Sequence, residues 1–344
     1  MGASHGRAYH KLEGFEIVGV VDSRAEAVEA FNKSVGANYP HFSDYGKALE
    51  ALKPDAVAIC TYPKSHEPLA IRAMEAGCHV FVEKPISDTV EGAERVCAAA
   101  KKHSRKVVVG YILRHHPSWV RFIEIARGLG KPLVMRMNLN QQSHGKTWEW
   151  HKNLLKSMTP IVDCGVHYVD VMCQMTGAKP VRVNGISARL SGEISESERN
   201  YGQLQVEFND GSVGWYEAGW GPMISTNAFF VKDVFGPKGS VSICAKGCVE
   251  DSKSDDIASH TKTNSLRVHF SSMDADGRFS KEDEWINTRD ELDHDGLCER
   301  EQLYFHKTIV EDISLDEHLR DAVNSLKIVL AADESARTGR QIEL

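Results

Sequence analysis

Lys84 sits just past a short apolar run, Val80-Phe81-Val82, with Glu83 before it and Pro85 after it. The proline forbids the strand from continuing, so the lysine falls at a strand end. Ligands of open α/β sheets lie at the carboxyl ends of the strands, and an ammonium there can hold an anion or a hydroxyl oxygen. A solvated surface lysine is the competing reading. A second set lies at Asp163, His167 and Asp170, spaced i, i+4, i+7, which places them on one face of a helix. An imidazole beside a carboxylate moves protons, because the acid orients the ring and stabilises its charged form. A surface ion pair would leave the same pattern. A metal site would need a third and fourth ligand, and the sequence offers no ordered Cys/His set for one.

Other groups could bind rather than react. Gly2-Ala3-Ser4-His5-Gly6 suits a loop that delivers a helix N-terminus to a phosphate. It departs from G-x-G-x-x-G: Met1 stands where the intervening residue would be, His5 where the third glycine would be, and Gly6 one place late. Phe15–Asp22 is an apolar run closed by an acid about 20 residues past that loop, where a carboxylate would bond the adenosine ribose. Ser23 and Arg24 follow, and the arginine could meet a 2′-phosphate, so NAD is expected first and NADP stays open. A helix-capping aspartate fits the same position. Thr61-Tyr62-Pro63 and His66 follow another buried strand. Trp150 and His151, in Trp148–Lys152, could stack on a sugar ring and bond its hydroxyls, though two close tryptophans also suit a core. Arg114, His115 and His116 share that ambiguity.

The elements that would carry these groups alternate in the first third of the chain. Helices are expected at Arg24–Lys33, Tyr45–Leu52, Glu67–Ala76 and Val90–His103, and strands at Asp55–Cys60, Val80–Val82 and Lys106–Tyr111. Apolar strands separated by helices of about ten residues mark a parallel doubly wound sheet. After Pro117 the pattern changes to a helix, Trp119–Arg127, and an alternating strand, Leu133–Gln141, read as half-buried and antiparallel. Strands then follow at Val181–Leu190, Leu204–Phe208, Val213–Trp220, Phe229–Phe235, Ser240–Cys244 and Leu266–Phe270. Hairpin signals stand at Asn209-Asp210-Gly211 and Gly236–Gly239. Most of 250–295 is polar and acidic, and the helices Arg300–Ile313 and Glu317–Arg337 close the chain. Two domains result: a dinucleotide-binding domain over 1–117 and an α+β domain with a mostly antiparallel sheet over 118–344.

Asp22, Thr61-Tyr62-Pro63-x-x-His66, Ala76-Gly77-x-His79-Val80-x-x-Glu83-Lys84-Pro85 and Gly110-Tyr111-x-x-Arg114-x-x-Pro117 together resemble the Gfo/Idh/MocA family of NAD(P)-dependent oxidoreductases. The resemblance implies a Rossmann-type domain and oxidation of a secondary hydroxyl on a sugar, inositol or other polyhydroxylated molecule. It also implies roles for Lys84, Asp163 and His167: the lysine holds the substrate oxygen, the histidine takes its proton, and the aspartate orients them. Lys84, His115, Trp150, His151, Asp163 and His167 would face the substrate. Gly2, Ala3, Ser4, His5, Asp22, Ser23, Arg24, Thr61, Tyr62, Pro63, His66, Glu83, Lys84 and Arg114 would face the cofactor. Rival readings are a non-catalytic dinucleotide-binding regulator and a glycosidase that recycles bound NAD.

Composition narrows the field. The 344 residues carry a net charge of −7, with 42% apolar and 26% charged residues and no basic stripe, which argues against a nucleic-acid partner. No apolar run is long enough to cross a bilayer. Eight cysteines (Cys60, Cys78, Cys97, Cys164, Cys173, Cys244, Cys248, Cys298) are scattered without CxxC pairs, which suits a reducing, cytoplasmic setting. A sheet open on one face suggests a homodimer or homotetramer. The first strand of a doubly wound sheet is not found before Gly2, and six to ten apolar residues ending in glycine are expected upstream of Met1.

Overall fold

The computed structural model describes residues 1–225, 231–244 and 261–344, so Cys248 and the first residues of the expected strand Phe229–Phe235 lie outside the described residues. The chain forms two compact units, Met1–His115 with Leu292–Val323, and His116–Glu291 with Asn324–Leu344.

The first unit alternates strand and helix. Helix α1 spans Gly2–Lys11; β1 (Val20–Val21), α2 (Ala25–Val35), β2 (His41–Phe42), α3 (Tyr45–Leu52) and β3 (Ala56–Ile59) follow. Then come α4 (His66–Glu75), β4 (His79–Glu83), α5 (Val90–His103) and β5 (Val107–Gly110). Its parallel strands form two sheets, β1-β2 and β3-β4-β5. Val80, Phe81 and Val82 are fully buried, as a strand covered on both faces requires. Local chemistry sets the helix starts: Asp44 accepts the Lys47 N–H at 2.8 Å and Thr89 accepts the Gly92 N–H at 3.0 Å, each satisfying a donor the helix leaves open. The strand expected over Phe15–Asp22 shortens to two residues, because only Val20 to Asp22 find backbone partners, on Pro40 to Phe42.

Near its end the chain supplies α10, His294–Val310, and α11, Asp316–Thr338. Helix α10 starts earlier than the apolar pattern suggested, because Asp293 caps it through the Gly296 N–H at 2.8 Å. Its Phe305 packs with Phe81, Val108 and Leu315 in a core beneath the three-stranded sheet.

The second unit begins with α6 (Pro117–Gly128) and β6 (Val134–Gln142), then α7 (Gly145–Leu155), α8 (Pro160–Asp163) and α9 (Gly165–Thr176). Strands β7 (Pro180–Ala188), β8 (Tyr201–Phe208), β9 (Val213–Gly221), β10 (Lys232–Gly236) and β11 (Gly239–Ile243) follow. Strands β12 (Ser265–Phe270), β13 (Glu284–Asn287) and β14 (Ile342–Glu343) complete one sheet, in the order β13-β12-β11-β10-β6-β9-β8-β7-β14. All neighbours are antiparallel except β6 and β9. The purely antiparallel setting expected for β6 is therefore corrected: it is an interior strand with one neighbour of each sense. Both expected hairpins form. β8 turns into β9 through Gly211 at φ +81°, and β10 turns into β11 through Pro237-Lys238.

Candidate active site

Strands β3, β4 and β5 run parallel and nearly in step, with Ile59 opposite Val82 and Glu83 opposite Gly110. Their carboxyl ends therefore form one rim, and Thr61, Lys84 and Tyr111 all lie on it. From Val80 to Ser87 every residue is buried except Lys84. A partly exposed lysine within an otherwise buried segment is placed there by its flanks, not by chance on a polar surface. Glu83 is 6% exposed; its Oε2 accepts the Lys84 backbone N–H at 3.1 Å, and its Oε1 takes a bond from His5 Nε2 at 2.7 Å.

Thr61, Tyr62 and Pro63 leave β3 on the same rim, with Tyr62 72% exposed and the Ser65 hydroxyl on the Thr61 hydroxyl at 2.7 Å. His66 is a correction to the expected cofactor contacts. Its ring is fully buried, 2.7 Å from the Pro85 carbonyl through Nδ1 and 2.9 Å from the Thr61 carbonyl through Nε2, so it ties two rim segments together. A neutral ring donates to only one of those carbonyls, and burial pushes this ring away from its charged form, against the pull of both carbonyls.

His5 is a second correction. Gly2, Ala3 and Ser4 form the first turn of α1 rather than a loop, and His5 points inward, 1% exposed, between Glu83 and Gln302. Aligning glycines by count alone put an interior ring in a phosphate loop. Arg114 pairs with Asp321 at 3.2 Å, and its guanidinium lies 5.8 Å from the Tyr111 ring centre. His115 packs on Tyr304 at 4.7 Å, and burial with Arg114 and Arg300 nearby pushes its pKa down to about 3.

Asp22 follows β1, its Oδ1 taking the Arg24 N–H at 2.9 Å and lying 3.6 Å from the Arg24 guanidinium. Ser23 and Arg24 are exposed beside it. These residues fit a dinucleotide: no side chain caps the N-terminus of α1, and the Asp22 carboxylate remains partly exposed at its strand end.

In the second unit the helix expected through Asp163 and Asp170 is interrupted at Cys164, which ends α8 and begins α9. Between Ile161 and Asp170 only Asp163 and His167 reach the surface, one turn apart. Asp170 does not share that face. It is fully buried and accepts a hydrogen bond from Gln174 Nε2 at 2.9 Å. On α7, Trp150 is 54% exposed, while His151 is buried and stacked on Trp220 at 4.4 Å with the rings 1° from parallel. Trp148 is core, its indole N–H on Glu193 at 3.2 Å.

The sequence concealed two buried groups. Lys232 is 2% exposed, with its ammonium 5.6 Å from the Trp119 ring centre and 6.0 Å from that of Tyr168; desolvation pushes its pKa down to about 8. Glu301 is 1% exposed, and burial reinforced by Glu83 raises its pKa well above the carboxylate range. Neither position had a pattern signal, since each stands beside other charged residues, Lys232 before Asp233 and Glu301 after Glu299 and Arg300, and its burial depends on distant elements.

Residues 1–111 match the oxidoreductase family with the NAD-binding Rossmann fold, and residues 125–242 match the C-terminal domain of the same GFO/IDH/MocA family. The chain belongs to the Gfo/Idh/MocA family. It is 28% identical over 237 residues to D-glucoside 3-dehydrogenase of Escherichia coli (strain K12), covering 62% of this chain and 65% of that protein. It is also 28% identical over 169 residues to inositol 2-dehydrogenase/D-chiro-inositol 3-dehydrogenase of Halalkalibacterium halodurans, covering 48% of this chain and 47% of that one. The chain thus spans between about half and just under two thirds of these curated relatives. In fold it is similar to a levoglucosan dehydrogenase solved with NADH and levoglucosan, at a TM-score of 0.80 and 19% identity, covering 100% of this chain and 96% of that one.

Proposed function

We propose that this member of the family is an NAD-dependent dehydrogenase that oxidises a secondary hydroxyl of a sugar, inositol or related polyol, or reduces the matching ketone. The observation that carries the reading is Lys84: it is the one solvent-reaching residue of a buried strand end, on the rim where Rossmann sheets bind ligands. Relatives named for glucoside and inositol oxidation support the substrate class.

NAD, when bound, supplies the hydride acceptor. The chain supplies position and charge. His167 removes the hydroxyl proton as the carbinol is oxidised, and Asp163 orients the ring and stabilises its imidazolium form. The Lys84 ammonium donates to the substrate oxygen and offsets the negative charge that grows on it. In the reverse direction His167 returns the proton. Trp150 gives the second unit an exposed ring of the kind that stacks on sugar faces. Asp22 disfavours a 2′-phosphate, so NAD is preferred over NADP.

No disulfide joins the seven described cysteines, which supports a reducing compartment such as the cytoplasm, and no described helix is long and apolar enough to cross a membrane. Ile186, 62% exposed on β7, with Val213 and Val134 on the same sheet, supports a homodimer or homotetramer through that sheet; light scattering tests it.

The deciding experiment measures NADH formation at 340 nm across myo-inositol, scyllo-inositol, D-glucose, methyl glucosides and levoglucosan. Turnover with any of them supports the assignment. NAD binding with no net redox on the whole panel, or glycosidic cleavage without net NADH, would replace it with one of the two rival readings.

A further inference from the structure

Five groups of the first unit form one hydrogen-bonded line whose polarity is fixed from its outer end. The Tyr9 hydroxyl donates to Gln302 Oε1. The Gln302 amide therefore presents its NH₂, and Nε2 lies 2.9 Å from His5 Nδ1. Nδ1 must then accept, so the proton of a neutral His5 ring is on Nε2, which points at Glu83 Oε1 from 2.7 Å. The other Glu83 oxygen holds the Lys84 backbone N–H at 3.1 Å. Gln302 is fully buried, His5 is 1% exposed and Glu83 is 6% exposed, so water does not compete for these bonds. The His5 ring is also pinned sideways against Phe81, 4.8 Å between centres. Outside the line, Arg7 grips Asp295 with bonds of 2.9 and 2.8 Å, fixing α1 to α10.

We propose that His5 is a positioning residue for Lys84: by donating from Nε2 it locks the Glu83 carboxylate in the orientation that caps the Lys84 amide, and so fixes where the lysine leaves the strand. His5 and Gln302 are interior, and the line of bonds runs from them to the rim through Glu83. Buried Glu301 completes the arrangement. Burial, reinforced by Glu83 nearby, raises its pKa well above the carboxylate range, so charge is disfavoured on Glu301 next to Glu83.

The inference rests on the dehydrogenase reading, and the experiment separates the two. Steady-state rates with NAD and myo-inositol, or whichever panel member turns over, are compared for wild type, His5→Leu and His5→Gln. A glutamine amide reaches the place of Nε2 and can still donate to Glu83, whereas leucine fills the space and donates nothing. The expectation is a fall in kcat of roughly 10–100-fold for His5→Leu, the scale of a small misplacement of a reacting group. His5→Gln should hold kcat within about threefold, and NADH affinity should stay within about threefold in both. Equal losses in the two variants, or no loss in either, would overturn the proposal. If no panel member turns over, or if both variants fail to fold, the readout is the His5 tautomer in the wild-type protein by ¹⁵N–¹H correlation. A proton on Nε2 supports the positioning role, and a proton on Nδ1 overturns it.

Discussion

The residues proposed to react differ from their neighbours in exposure more than in type. Lys84, Asp163 and His167 are each partly exposed between buried residues, while Asp170, spaced just as suggestively, is sealed in the core against Gln174. Lys84→Ala and His167→Ala should each lower kcat by roughly 10²–10⁴-fold, the usual contribution of a group that moves a proton or stabilises charge at the reacting oxygen. Circular dichroism should show both variants folded, and retention of near wild-type kcat by either would remove its assigned role. Asp170→Asn, in contrast, should act through stability. If the end of β1 chooses the cofactor as proposed, Arg24→Ala should weaken NADP binding more than NAD binding, measured by titration calorimetry with each, because Arg24 is an exposed cation beside Asp22.

At the scale of elements, close approach matters more than propensity. Strand β7 lies so near helix α11 that a Cβ added at Gly185 would fall 2.1 Å from the Ala332 carbonyl oxygen, a backbone atom that cannot swing aside. The Gly185 N–H also donates to the Ser335 hydroxyl at 2.9 Å, which holds the pair at that spacing. Gly185→Ala should therefore destabilise the second unit by about 1–3 kcal/mol, the range for overpacked sites, and lower the urea midpoint with little change in slope. A midpoint equal to that of wild type would show that strand and helix separate more easily than the packing implies. Gly36 at the end of α2, where an added Cβ meets nothing within 4 Å, is the contrasting site, and any cost there would come from its φ of +67° alone.

For the whole molecule, two buried histidines each contribute a loss of stability in acid. His318 accepts the Val109 N–H through Nε2 at 2.8 Å and is 4% exposed; desolvation, with Arg114 and His115 adding to it, holds its pKa well below the ordinary value. His115, driven down to about 3, behaves the same way. Both rings stay neutral in the folded chain while the unfolded chain takes up protons below a pKa of about 6.5. The unfolded state then binds more protons, so stability falls as pH drops below about 6.5 and is flat above it as far as these two groups are concerned. For His115 the slope approaches about 1.4 kcal/mol per pH unit between pH 6 and 4, and His318 adds to it in the same direction. Melting temperature measured from pH 7.5 to 4.5 should decline in that window. His318→Gln should flatten the decline, and an unchanged pH dependence in that variant would remove His318 from the account.

Much of this architecture was legible in the chain itself. Helices α3 and α5 run over Tyr45–Leu52 and Val90–His103 as their apolar spacing and caps require, because capping and periodicity act within a few residues. The strand-lysine-proline segment announced a rim position for the same reason. Glu83-Lys84-Pro85 and the segments around it also marked the family, which the matches over 1–111 and 125–242 bear out. Tertiary structure decided the rest. It settled which of Asp163, His167 and Asp170 reach solvent, since a break at Cys164 and the packing around α9 depend on distant strands. It also gave β6 one parallel and one antiparallel neighbour, which alternation within a strand does not encode. Above all it turned His5 inward: its partners Glu83 and Gln302 lie 78 and 297 residues away, and hydrogen bonds across such separations leave no spacing for a sequence to show.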